Sequence, residues 1–253
     1  MWTNIYCGPA PTPPAIWRHW NLDPWLILAL VVLFAVHAAT LKRETDGGAQ
    51  RLCLAGAWSL AALLFVSPLC ALTSALFSAR IGHHVLLVAG VAPLLVLALP
   101  RRLRLTPSRP TGQIAVLAAA HAAIVWLWHA PLPYAAALSD TALYWVMELS
   151  LLISAVLLWR AVLSPAAGLG AVVAALIATV AQMGLLGALI TFARTPLYEA
   201  HFLTAEPWGL SALEDQQLAG LIMWIPAAAP YAIAGLLLVA RQLVPSSSAA
   251  RVR

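Results

Sequence analysis

Two apolar runs carry imidazoles and carboxylates in the stretch from His121 to Leu158, and a short joint with Pro131 and Pro133 separates them. If both runs cross a membrane as helices, His121 lies eight residues before the joint and Glu148 about seven residues into the second run. At 1.5 Å per residue, both side chains then lie roughly 10–12 Å from the same membrane face. Ionisable groups are costly inside a bilayer, so an imidazole and a carboxylate at one depth predict a functional site.

Further polar and sulfur-bearing side chains fall in the same half of the predicted helices. They are His83, His84, His129, Asp215, Cys70 and Met223, with His201 in a connecting loop. Imidazole suits copper, zinc, iron and nickel, and thioether or thiolate sulfur selects copper(I). The pattern therefore indicates a transition-metal site, and histidines that ligate haem iron are the second interpretation.

Each of these residues also has a structural interpretation. Glu148 would pair with His121 as a structural contact between two helices. Asp215 would cap the N-terminus of the last helix. His201 would be solvated in its loop. His83 and His84 are adjacent, so we do not expect both to point inward.

The composition is typical of an integral membrane protein. The 253 residues are 62% hydrophobic and 9% charged, with a mean hydropathy of +0.88, whereas a soluble domain carries about 25% charged residues. Seven apolar segments are long enough to cross a bilayer. They are 25–41, 52–72, 83–100, 113–129, 141–163, 169–192 and 218–240. The predicted fold is an all-α bundle of seven transmembrane helices (25–243), between an extended Pro-rich tail (1–24) and a disordered tail (244–253).

Basic residues are distributed unevenly over the predicted loops. Eleven of the 14 Lys and Arg residues lie on one side of a seven-span topology, and Arg18, Arg80 and Arg194 lie on the other. The positive-inside rule then places the N-terminus outside and the C-terminus in the cytoplasm. The net charge of +5 is thus a topology signal and does not predict nucleic-acid binding. The three cysteines form no CxxC motif and predict no disulfide framework.

Soluble-enzyme signatures are absent from the sequence. It contains no P-loop, no GxGxxG after a strand, no GxSxG and no HExxH. A serine hydrolase within the membrane is a distant alternative, because no serine lies suggestively beside the histidines.

Four segments resemble the CtaG family of caa3-type cytochrome c oxidase assembly factors. They are LFSARIGHHVLLVAGVAPLLVLALP (76–100), HAAIVWLWHAPLPYAAAL (121–138), LLISAVLLWRAV (151–162) and DQQLAGLIMWIP (215–226). The resemblance implies a multi-pass protein of the bacterial cytoplasmic membrane that is not an enzyme and assists assembly of a haem-copper oxidase. Its implied partners are the oxidase subunits, an extracytoplasmic copper chaperone and the lipid bilayer. Copper is the implied metal, and haem is less favoured.

The family motifs place candidate ligands on numbered positions of this chain. Matching positions are His84, His121, His129, Asp215 and Gln216. The family pattern has histidines four apart in the third and fifth spans, where this chain has Arg80 in the third span and Tyr144 and Glu148 in the fifth. The resemblance therefore implies a copper site with fewer imidazoles. Its predicted ligands are His84, His121, His129, Glu148 and Asp215, with His83, Met223, Cys70 and His201 as weaker candidates.

In this hypothesis His84 and His129 receive the ion at an outward-facing cavity. A deeper pair, His121 and Glu148, then holds it. A copper or haem transporter is an alternative that needs a polar path past His37 to the cytoplasm, and the apolar inner half of the predicted helices argues against it. A metal-free scaffold that grips oxidase subunits is a further alternative, in which the histidines have only structural contacts.

Overall fold

The computed structural model describes residues 6–41, 47–100, 112–164 and 166–243. This part of the chain forms helices and no strand, so the predicted all-α class is confirmed. The helices are α1 Pro24–Leu41, α2 Gly48–Val66, α3 Pro68–Ala75, α4 Phe77–Leu86, α5 Ala92–Leu97, α6 Gly112–His129, α7 Pro131–Ser139, α8 Thr141–Val162, α9 Leu169–Phe192, α10 Ala212–Trp224 and α11 Ala228–Leu243. A π-helical turn, Leu87–Val91, joins α4 to α5. Short 3-10 helices lie at Pro13–Arg18, Glu199–His201 and Glu206–Trp208.

Six helical segments of the described chain are long and apolar enough to cross a membrane. They are α1, α2, the α4–α5 segment Phe77–Leu97, α8, α9 and the α10–α11 segment Ala212–Leu243. The bent pair of α6 and α7, with 72° between its halves, adds a seventh if it is one span. The chain is therefore a multi-pass membrane protein, while the seven-span topology and the orientation stay predictions.

The second predicted span, 52–72, is broken at Ser67 in the structure. Helix α2 ends at Val66, and Pro68 opens α3 because a proline lacks the N–H that would continue the preceding helix. The Ser67 hydroxyl accepts a hydrogen bond from the Leu69 N–H at 3.2 Å and so caps α3.

The third predicted span, 83–100, begins six residues earlier in the structure, at Phe77. The start is fixed by Asp215 of α10, whose carboxylate accepts hydrogen bonds from the backbone N–H of Phe77 at 2.6 Å and of Ser78 at 3.1 Å. The expectation that Asp215 caps its own helix is wrong, because Ser211 and Glu214 form a capping box there. The longer α4 carries His83 and His84 inside the span rather than at its end.

The segment before α1 packs against the bundle from Tyr6 onward. Cys7 and Cys70 form a disulfide, so the prediction of no disulfide is wrong. The Tyr6 ring stacks on the Tyr144 ring of α8, with 5.1 Å between centroids. The Trp208 indole donates a hydrogen bond to the Pro11 carbonyl at 3.0 Å. These contacts hold the described part of the Pro-rich segment against α3, α8 and the loop before α10.

Helices α9 and α10 approach each other through glycines. A Cβ on Gly187 would lie 2.7 Å from the Gly220 carbonyl oxygen, which is closer than real Cβ contacts come. Small residues at helix crossings in membranes permit such backbone approach. The crossing fixes α10, and therefore Asp215, against the start of α4.

Candidate metal centre

Five buried side chains meet in one half of the bundle, around the carboxylate of α8. We name them the Glu148 cluster: Arg80, His83, His84, His129 and Glu148. One carboxylate oxygen, Glu148 Oε1, lies 3.2 Å from Arg80 Nη1 and 3.4 Å from His84 Nε2. The other oxygen, Oε2, lies 3.8 Å from His83 Nδ1. Arg80 is 0% exposed and Glu148 1%, so this ion pair is removed from water.

The positions of these residues follow from helix geometry. Arg80 and His84 are four apart on α4 and share one face, and His83 lies about 100° around the axis from His84. His84 and Glu148 each lie seven residues from the start of their helices, which puts both roughly 10 Å into the bundle. Because the carboxylate lies between the two imidazoles, one oxygen faces each. The expectation that only one of the adjacent histidines points inward is therefore wrong.

Hydrogen-bond partners assign the tautomers of two histidines. His129 Nδ1 lies 2.6 Å from the Val125 carbonyl, which can only accept, so Nδ1 carries the hydrogen and Nε2 is an acceptor. This Nε2 is 3.4 Å from His84 Nδ1, which therefore donates to it. The remaining nitrogen of a neutral His84, Nε2, then presents a lone pair to Glu148 Oε1. Two acceptors that face each other call for a cation between them, either a proton or a metal ion.

Many buried polar atoms of the Glu148 cluster have no hydrogen-bond partner within the described chain. They are Arg80 Nε and Nη2, both ring nitrogens of His83, His84 Nε2 and Glu148 Oε2. Buried polar atoms are nearly always satisfied in proteins, so their concentration at one point makes this cluster a candidate ligand site. His83, His84 and Glu148 each offer one ligand atom, and these atoms lie within 4.8 Å of one another. Two imidazoles and a carboxylate suit copper or zinc.

Arg80 is a member of the cluster that the sequence did not predict as part of a site. Its guanidinium carbon lies 5.2 Å from the centroid of the Tyr144 ring, a cation–π distance. The sequence had counted it as an external loop charge. The sequence did contain a signal, because two pairs of residues have the helical spacing of four: Arg80 with His84, and Tyr144 with Glu148. The structure shows that these two pairs face each other.

Comparison with known proteins gives one match that covers most of the chain. The family model described as cytochrome c oxidase caa3 assembly factor (Caa3_CtaG) matches residues 32–244. The chain belongs to this family. No curated protein and no solved structure matches the chain. The matched range contains the whole Glu148 cluster, whereas Cys7 and the segment that packs over Tyr144 precede it.

In this assembly factor His121 pairs with Ser154 rather than with Glu148. His121 Nδ1 lies 2.8 Å from the Ser154 hydroxyl, which itself donates to the Leu151 carbonyl at 3.1 Å. The imidazole is therefore the donor, and its buried Nε2 has no hydrogen-bond partner in the described part of the chain. The sequence predicted a short joint between two neighbouring helices, with His121 and Glu148 at the same depth. Residues 131–139 instead form α7, which shifts α6 relative to α8.

The other predicted ligands have separate surroundings. Asp215 is buried, and its carboxylate accepts hydrogen bonds from backbone N–H groups at the start of α4. Cys70 offers no thiolate, because its sulfur is bonded to Cys7, and this overturns its candidacy. Met223 is buried in the apolar core.

His201 is buried rather than solvated. Its Nε2 lies 2.7 Å from the Tyr134 hydroxyl, and its Nδ1 has no hydrogen-bond partner among the residues that the structure describes. Burial, together with the positive charge of Arg80, lowers the pKa of His201 to about 3. The ring is therefore neutral at ordinary pH.

An apolar crevice between α1 and the remaining helices also borders Glu148. Its volume is about 400 Å³, and its walls include Trp25, Phe65, Trp58 and Trp145. Helix α1 buries only Leu26 and Leu41, so it leaves this side of the assembly factor open. The Phe65 ring meets the His83 imidazole edge-on, with 5.0 Å between centroids, and separates most of the crevice from the imidazole.

Proposed function

We propose that this assembly factor holds a copper ion at the Glu148 cluster and helps to load cytochrome c oxidase with it. The observation that supports this most is the buried pair of facing acceptors, His84 Nε2 and Glu148 Oε1, 3.4 Å apart. His83 supplies the third ligand. His129 accepts a hydrogen bond from His84 and so orients the ring toward the ion, as partners of ligating histidines commonly do.

The contacts of the N-terminal segment support an extracytoplasmic position for the cluster. Disulfides persist in oxidising compartments, and the Cys7–Cys70 disulfide lies at the cluster's end of the bundle, with Cys7 Sγ 3.4 Å from the Tyr144 hydroxyl. The predicted topology, in which most Lys and Arg residues lie on the other side of the membrane, agrees. Since Arg80 is buried, the predicted topology leaves Arg18 and Arg194 as the basic loop residues on the cluster's side.

From this position we infer the partners. The protein works in the bacterial cytoplasmic membrane, receives copper from an extracytoplasmic chaperone, and contacts oxidase subunits. It catalyses no reaction in this role. No contact with nucleic acid is involved, and haem is less favoured because no two imidazoles face each other across an open space in the cluster.

One observation favours a second candidate, a metal-free scaffold for oxidase subunits. The Arg80 guanidinium already compensates the Glu148 carboxylate at 3.2 Å, so the buried charge is paired without a metal ion. In this alternative the cluster holds α4 to α8 and the oxidase subunits bind elsewhere.

The test replaces the chromosomal gene with a Glu148→Gln variant and measures oxidase activity in isolated membranes. Glutamine keeps the shape and removes the charge that holds the ion, so we expect oxidase activity to fall severalfold or more after normalisation to the abundance of the assembly factor. Glu206→Gln is the control, because Glu206 is exposed at the start of the 3-10 helix Glu206–Trp208. Wild-type oxidase activity with Glu148→Gln would contradict the proposal.

A further inference from the structure

Arg80 brings a permanent positive charge to the proposed copper site. A guanidinium is not deprotonated in proteins, and Arg80 has no access to water. The oxygen that it contacts, Glu148 Oε1, is the same oxygen that faces His84 Nε2. An ion held between His84 and Glu148 would therefore lie within a few ångströms of the guanidinium.

The charge of Arg80 contributes to the net charge of the site when an ion is bound. With neutral imidazoles, Arg80 and Glu148 cancel, and the cluster alone has no net charge. A monovalent ion raises the net charge to one and a divalent ion raises it to two. Uncompensated charge is costly away from water, and the repulsion by Arg80 is proportional to the charge of the ion. The buried carboxylate of Asp215 accepts its hydrogen bonds at the start of α4 and is not a member of the cluster. Its charge is the same in every Arg80 variant, so it does not affect a comparison between those variants.

We propose that Arg80 makes the Glu148 cluster selective for a monovalent ion, copper(I), over divalent ions. The inference rests on the proposed function, because it assumes that the cluster binds a metal. The donor atoms alone would not produce this selectivity, since imidazole and carboxylate suit divalent copper and zinc well. A preference for the monovalent ion therefore reports the charge of Arg80.

The geometry also keeps Arg80 at the site when the ion binds. The Tyr144 ring lies under the guanidinium at 5.2 Å and does not depend on Glu148 Oε1. Tyr144 is itself fixed by the stacked Tyr6 ring and by contact with Cys7 Sγ at 3.4 Å. The guanidinium therefore stays beside the bound ion, and the repulsion is not relieved by movement into water.

The experiment titrates detergent-purified protein with Ag(I), a redox-inert analogue of copper(I), and with Zn(II). All samples carry Cys53→Ala, because the free thiol of Cys53 would bind silver itself. We expect the Arg80-containing protein to bind one Ag(I) more tightly than Zn(II). Arg80→Gln should strengthen Ag(I) binding roughly ten- to hundredfold and Zn(II) binding by the square of that factor, because Coulomb repulsion doubles with ion charge. Arg80→Lys keeps the charge and should keep the preference for Ag(I).

Four outcomes would overturn the inference. Equal strengthening of both ions by Arg80→Gln would show that Arg80 acts by bulk rather than by charge. Zn(II) binding as tight as Ag(I) in the Arg80 protein would contradict selectivity, and this comparison decides the matter even if Arg80→Gln does not fold. Binding of neither ion would overturn the metal function as well, whereas divalent preference would overturn this inference alone.

Discussion

At the residue scale, the two oxygens of Glu148 have different neighbours. Oε1 is shared by Arg80 and His84, and Oε2 faces His83. The sequence predicted that Glu148, His84 and His129 belong to one site with His121 and Asp215, because polar side chains concentrate in the outer half of the predicted helices. It paired Glu148 with His121, at one depth, rather than with His84. It did not include Arg80, since a lone arginine beside an apolar run resembles an interfacial charge. The spacing of four from Arg80 to His84 and from Tyr144 to Glu148 becomes a specific signal only once α4 and α8 are known to face each other.

His129 acts on the ion through His84, and a substitution can show this. His129→Ala removes the acceptor that fixes the His84 tautomer, so we expect metal affinity to fall about 10- to 100-fold without being abolished. The measurement is Ag(I) titration of the Cys53→Ala protein. His19→Ala, in the segment before α1, is the control. Unchanged affinity with His129→Ala would show that this hydrogen bond does not orient the ligand.

The burial of His201 predicts that the folded protein loses stability in acid. Its folded pKa of about 3 lies below the unfolded value of about 6.5, so the unfolded chain binds the proton first. The stability it contributes is complete above pH 6.5 and is lost as pH falls toward 3. At pH 5 the loss is about 2 kcal/mol.

The measurement is the midpoint of thermal unfolding at pH 7.5 and at pH 5, compared with His201→Gln. The variant should lose less stability on acidification, because glutamine does not titrate. The same decrease in both proteins would mean that other buried histidines account for the acid sensitivity.

At the element scale, apolar length predicted most helices but missed the breaks between them. Predicted spans 113–129, 141–163 and 169–192 match α6, α8 and α9 within one residue at each end. The break at Ser67 and the separate helix α7 were missed, because a proline inside an apolar run permits either a kink or a new helix. The missed α7 also explains the incorrect pairing of His121 with Glu148.

The α9–α10 crossing gives a stability prediction with a control on the same helix. Gly187→Ala would place a methyl group 2.7 Å from the Gly220 carbonyl oxygen, so α9 and α10 must move apart. We expect a loss of about 1–3 kcal/mol. Gly170→Ala, near the start of α9, meets no atom within 4 Å and should leave stability unchanged or slightly raised. Thermal unfolding in detergent compares the two, and equal midpoints would contradict the close crossing.

At the scale of the whole molecule, the depth of a residue is readable from sequence but the order and rotation of the helices are not. The sequence therefore predicted an outer-half site and could not choose which of its polar residues meet. It also predicted no disulfide, since Cys7 and Cys70 are 63 residues apart and belong to no motif. Their contact depends on the N-terminal segment folding back over α3 and α8.

The disulfide should contribute to the stability of the entire fold. Removing it with Cys7→Ala and Cys70→Ala frees the N-terminal segment and a long loop of the unfolded chain, so we expect a loss of about 2–4 kcal/mol. Cys53→Ala is the matched control, because Cys53 is the free cysteine. The comparison uses thermal unfolding, together with mass analysis after alkylation without reductant. Alkylation of all three cysteines in the unreduced protein would contradict the disulfide.

The copper content of the purified protein tests the central claim most directly. Protein purified in detergent after loading with copper(I) under a mild reductant is measured for wild type, His84→Ala and His121→Ala, all with Cys53→Ala. His121 is the matched control, because it is an equally buried imidazole that bonds Ser154 outside the Glu148 cluster. We expect about one copper per chain in wild type and in His121→Ala, and none in His84→Ala. Copper retained by His84→Ala and lost from His121→Ala, or no copper in wild type, would contradict a copper site at the Glu148 cluster.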